Sequence, residues 1–87
     1  MEDFFTTPVE GAPYQPGQRV KVVDAIDIEI HDVSMHIGKV GKVKALDYSE
    51  GSGQLFPTDP FVVVDFKDGS GGSFWSDELA PVLVLIA

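Results

Sequence analysis

The chain has 87 residues, no cysteine, and 14 acidic against 6 basic residues, for a net charge of −8. That length makes one domain near the lower limit for a single unstapled core, and without cysteine the chain by itself holds no disulfide, thiolate metal site or thiol nucleophile. The acidic surplus disfavours nucleic acid and anionic lipid unless the few cations gather on one face; it fits either plain solubility or a partner with a basic patch.

"MEDFF" opens with two acids and no basic n-region, so it does not read as a secretory signal. Residues 1–15 hold prolines and a glycine with no sustained period, and they are expected as an extended arm ahead of a domain at 16–87. The aromatics Phe4, Phe5 and Tyr14 suit an arm that lies against the domain or a partner; a disordered tail is the other reading. "GQRVKV" is a turn followed by strict alternation, Val20 and Val22 opposed to Arg19 and Lys21, which predicts a half-buried strand. "AIDIEIHDV" alternates again, with Ile26, Ile28 and Ile30 against Asp27, Glu29 and His31, either as a continuation of that strand or as one arm of a long loop.

In "HIGKVGKVKAL", Gly38 and Gly41 bracket a tight turn, after which Val43 and Ala45 alternate with Lys42 and Lys44. "SEGSG" (49–53) predicts a flexible hairpin loop. "PFVVVDF" (60–66) is the strongest strand, with Pro60 first, where a missing donor is tolerated. "KDGSGGS" (67–73) is a glycine-rich hairpin turn into "SFW", "SDEL" (76–79) is one tight helical turn, and "PVLVLI" closes as a short strand. No stretch keeps a helical period over three turns, and the final apolar run is far short of the ~20 residues of a membrane helix. The expected fold is all-β: a small SH3-like barrel of about five strands, with a long first loop and a short helical turn before the last strand.

Chemistry is sparse. A Walker cradle needs G-x-x-x-x-G-K-[S/T] and a following helix, whereas Gly41-Lys42 leads into Val43 and a strand. The same glycine-then-strand segment is similar to that of RNA-binding barrels, but the acidic remainder opposes that use; lysines covering an edge strand explain it better. His31, Asp32 and His36 are the one metal or acid–base candidate, and only a loop could converge histidines five apart. Asp24, Asp27, Glu29 and Asp32 lack the layout of a calcium loop and read as a solvated face or a patch for a basic partner. No serine has a recognisable general base. Trp75 reads as core, with an interface anchor as the alternative.

Taken in order, "GQRVKV" (17–22), a loop with His31, "GKVGKV" (38–43), "PTDPFVVVDF" (57–66) and "FWSDEL" (74–79) resemble the variable subunit of ferredoxin–thioredoxin reductase, an SH3-like barrel. The likeness spans roughly residues 16–82, and most blocks are also similar to the E subunit of photosystem I and the β-subunit of nitrile hydratase. The chain departs from the reductase pattern in having "SEGSG" where that family has a tryptophan–glycine segment, and in its extra arm. The resemblance implies a non-catalytic accessory subunit without a cofactor of its own, forming a heterodimer with a cysteine-containing partner that holds an iron–sulfur cluster. It implies a cytoplasmic or plastid-stromal setting. The alternative is a protein-binding or regulatory module docking on a photosynthetic or other multisubunit complex. The expected partner contacts are Ile28, Ile30, His31, His36, Phe56, Phe74 and Trp75.

Overall fold

Alternating valines make a strand only where a neighbouring edge can take up the backbone donors and acceptors between them. The computed structural model, which describes residues 4–26, 28–30, 32–48 and 55–82, supplies such edges in one antiparallel sheet. Its strands are β1 (Phe4–Phe5), β2 (Arg19–Val22), β3 (Val40–Asp47), β4 (Phe61–Phe66), β5 (Gly71–Phe74) and β6 (Leu79–Pro81). The order is β5-β4-β3-β2-β6, with β1 added to β3 through Phe4↔Asp47 and Phe5↔Leu46.

The fold is all-β and SH3-like. β2 pairs with both β3 and β6, so the first and last strands of the domain meet; a long loop separates β2 from β3, and a 3₁₀ turn at Ser76–Glu78 precedes β6. Pro60 stands buried just ahead of β4, outside the ladder. The predicted 49–53 loop and the stretch beyond Val82 lie outside the described residues. Among the described residues no helix is long and apolar enough to cross a membrane.

The alternation of each strand chooses its inner face. Val20 and Val22 of β2, Val43 and Leu46 of β3, Val62, Val64 and Phe66 of β4, Phe74 of β5 and Leu79 of β6 converge in one core. Burying each such side chain stabilises the fold by roughly 1.5–3 kcal/mol against leaving it in water. The spacing from Val43 to Leu46 is three, not two, because the β3–β4 register shifts between Val43 and Ala45. A β-bulge at Lys44 absorbs the extra residue and keeps both large side chains facing in. Gly41 has a steric cause: a Cβ there would stand 2.6 Å from the Asp65 carbonyl oxygen and 2.6 Å from Val64 Cγ1.

The arm joins this core. Val9 and Tyr14 are buried in it, and the Tyr14 hydroxyl donates to the Leu79 carbonyl at 3.0 Å. Burial, followed by the nearby charge of Asp77, raises the Tyr14 pKa, because both disfavour the phenolate.

Candidate functional site

"AIDIEI" takes the loop alternative. After Val22 the chain leaves the sheet, and residues 23–39 form a long excursion that returns at β3. Its two ends are tied together: Val22 N–H donates to Lys39 O at 3.0 Å and Gly38 N–H to Val22 O at 2.8 Å. Gly38 has φ +94°, in the left-handed region that side chains rarely adopt, and the return of the loop requires it.

The outgoing arm is fastened by a residue whose role the sequence does not advertise. Glu78 is fully buried, and its two carboxylate oxygens accept from two different segments: Oε1 from Trp75 N–H at 2.8 Å, and Oε2 from Ile26 N–H at 3.0 Å. Its backbone carbonyl also accepts from Val23 N–H at 2.8 Å and Asp24 N–H at 3.3 Å. One side chain therefore caps the 3₁₀ turn and staples the loop to it. The signal was present, since a Glu three residues after the N-cap, here Trp75, is the capping position; its reach to Ile26, 52 residues away, was not legible.

The returning arm is fastened by packing. Val33 is buried in the core, Asp32 accepts from Ser34 N–H at 2.9 Å, and a 3₁₀ turn follows at Ser34–His36. These contacts, with the Ser34 hydroxyl foremost, hold the Asp32 carboxyl below the usual carboxylate range. The His36 ring stacks on Phe66 (centroids 5.0 Å apart, 22° between planes) and meets the edge of Phe74 at 5.8 Å. His36 Nδ1 is buried, with no hydrogen-bond partner among the described residues. Lys39 lies over Phe66 and pairs with Asp68 at 3.0 Å.

What remains outside these fastenings is apolar. Val23, Ile26, Ile28, Ile30, Met35 and Ile37 are all exposed, Ile28 by 59% and Ile30 by 87%. Asp24, Glu29 and Asp32 are exposed among them. A small folded domain rarely presents so many large aliphatics on one segment without a use for them.

The sequence-predicted contacts divide. Ile28 and Ile30 stand out on the loop, and His36 lies half-buried beneath it. Trp75 is half-buried, stacks on Phe61 at 4.1 Å, and joins the loop through Glu78. Phe56 belongs to a second exposed region, where its ring packs on Tyr48 (4.9 Å) and Phe5 (5.7 Å), next in the chain to exposed Leu55. There the Tyr48 hydroxyl donates to the carbonyl of Pro57, which follows a cis peptide bond. Phe74 is a correction: it is fully buried and belongs to the core, because Phe74 pairs with Val62 on the inner face of β5. His31 and Asp27 lie outside the described residues, and with His31 so does the His31–Asp32–His36 grouping. Among the described residues, no three His, Cys, Asp or Glu side chains are placed to share a metal ion.

Comparison of the chain with protein-family models, with curated proteins and with solved structures returned no match.

Proposed function

We propose that this chain is a non-catalytic docking subunit that grips a partner protein with the 23–37 loop. The observation that carries this reading is the contrast within the loop: both ends and Val33 are held, while Ile26, Ile28 and Ile30 are turned to water. A segment fastened at its ends and at Val33 has less conformational entropy to lose on contact than a free one. Exposed Asp24, Glu29 and Asp32 among the aliphatics suit a partner patch that is apolar at its centre and basic at its rim.

The finer reading is an accessory subunit that packs on and stabilises a cysteine-containing iron–sulfur partner. Its support is the motif order shared with the variable subunit of ferredoxin–thioredoxin reductase and the lack of cysteine in this chain. The second exposed region, at Leu55 and Phe56, favours an alternative: a module with more than one neighbour in a larger complex.

Co-expression with a cluster-binding thiol reductase tests the finer reading. The expected result is a complex that survives purification and is lost when Ile28→Ser and Ile30→Ser are combined. A stable monomeric barrel recovered from that co-expression overturns the accessory-subunit reading. A complex indifferent to the two serines overturns the role of the loop.

A further inference from the structure

The chain has 6 basic residues: Arg19, Lys21, Lys39, Lys42, Lys44 and Lys67. The fold brings all of them to β2, to β3 and the residue before it, or to the residue just after β4. Register puts most of them on one face. Arg19 is opposite Lys42, Lys42 is opposite Asp65, and Lys21 is opposite Val40. Directly opposed residues share a side of the sheet, and so do residues two apart on one strand. Arg19, Lys21, Val40, Lys42, Asp65 and Lys67 therefore form one outward patch, four cations to one carboxylate, on a molecule of net charge −8.

The patch is concave. An open groove of about 380 Å³ is lined by Arg19, Val40, Gly41, Lys42, Asp65, Phe66 and Lys67. Among the described residues the ion pair is Lys39–Asp68, which leaves the four cations of the patch without a carboxylate in contact. Ordinary surface charge alternates in sign; here like charges face each other at Arg19 and Lys42, an arrangement that costs stability unless an anion comes between them.

We propose that this groove docks an acidic protein segment in extended conformation, with carboxylates two residues apart. Residues two apart on a strand are separated by roughly 7 Å, which matches the spacing of Arg19, in the groove, and Lys21, on the same face outside its lining, to that of alternate side chains on an extended ligand. Val40, exposed between the cations, takes an apolar side chain of the same segment. Nucleic acid fits less well. Single strands need exposed rings for base stacking, and the one ring in the groove, Phe66, is buried and covered by His36. A longer polyanion would also run from the patch into the acidic surface around it. The site is independent of what the loop binds.

The test is NMR titration of the whole protein with a short peptide of alternating Glu and Thr, its Gln–Thr counterpart, and a short oligothymidylate. The expected result is shifts confined to Arg19–Val22, Val40–Lys44 and Asp65–Lys67 for the Glu peptide only, weakening about tenfold as salt is raised well past physiological strength. Combined Arg19→Glu and Lys42→Glu should abolish the shifts, while Asp65→Asn should tighten binding severalfold. These side chains point outward from the ladder, so thermal midpoints should stay near wild type. Equal binding of the Gln peptide, tighter binding of the oligonucleotide, or no binding of any probe overturns the proposal. So does salt-sensitive self-association that occupies the groove with a second copy.

Discussion

"RVKV" and "AIDIEI" carry the same alternation of apolar and charged residues, yet Val20 and Val22 are fully buried while Ile28 and Ile30 are exposed by 59% and 87%. The first segment has β3 on one side and β6 on the other. The second has no strand partner among the described residues; its backbone is held at Ile26 by a glutamate, and the chain beyond it is anchored by the buried side chain of Val33. Alternation states which side chains share a face, and the availability of a neighbouring edge decides whether that face turns inward. The strand region stores stability; the loop region stores unused apolar surface.

Substitutions at matched positions test that division most strongly. Leu46→Ala, in a fully buried position, should cost about 3 kcal/mol, whereas Ile30→Ala should change stability by less than about 0.5 kcal/mol. Denaturant unfolding of both variants checks this, and a comparable loss from Ile30→Ala would erase the distinction.

Next in size is the connection between the regions. Glu78→Ala removes the acceptor of both Trp75 N–H and Ile26 N–H and should cost about 2 kcal/mol, with proteolytic cleavage appearing first in the 23–33 stretch. Glu78→Gln keeps the shape and should lose less.

Within the core, Tyr14→Phe should cost about 1 kcal/mol, the net value of the bond to Leu79. The pKa of Tyr14 is raised by burial, so its stabilisation is complete below the ordinary phenol value of about 10 and is lost as pH climbs through the higher folded value. Thermal midpoints on the alkaline side should fall for the wild type and flatten for the variant.

The smallest effect lies at the returning end of the loop. Asp68 accepts from the Ser70 hydroxyl, from Ser70 N–H and from Lys39, which hold its carboxyl well below the usual range. Its contribution is therefore present above the ordinary carboxylate value of about 4 and is lost as pH falls through the lower folded one. Asp68→Asn should lower the midpoint at neutral pH slightly and soften its acid decline by the same small amount.

Much of the fold was legible, for a local reason. β-branched alternation in β2 and β4, the glycine turn after Phe66 and the "SDE" turn each express preferences within a few residues. The candidate site was legible only in part. Ile28 and Ile30 could be named, but their exposure follows from pairing that β2 makes elsewhere, and Phe74 was misplaced because strand phase is ambiguous after a glycine pair. Glu78 and the basic groove were missed, since both depend on residues far apart in sequence.

The chain by itself determined an all-β fold, the strands β2 to β5 and its acidic balance, because these depend on side-chain period and composition. The tertiary structure alone decided which alternating segment is buried, which carboxylate is enclosed, and that six scattered cations lie on or beside three neighbouring strands. The physical reason is register: the pairing of distant edges sets which side chains stand next to one another, and no short window of sequence contains both edges.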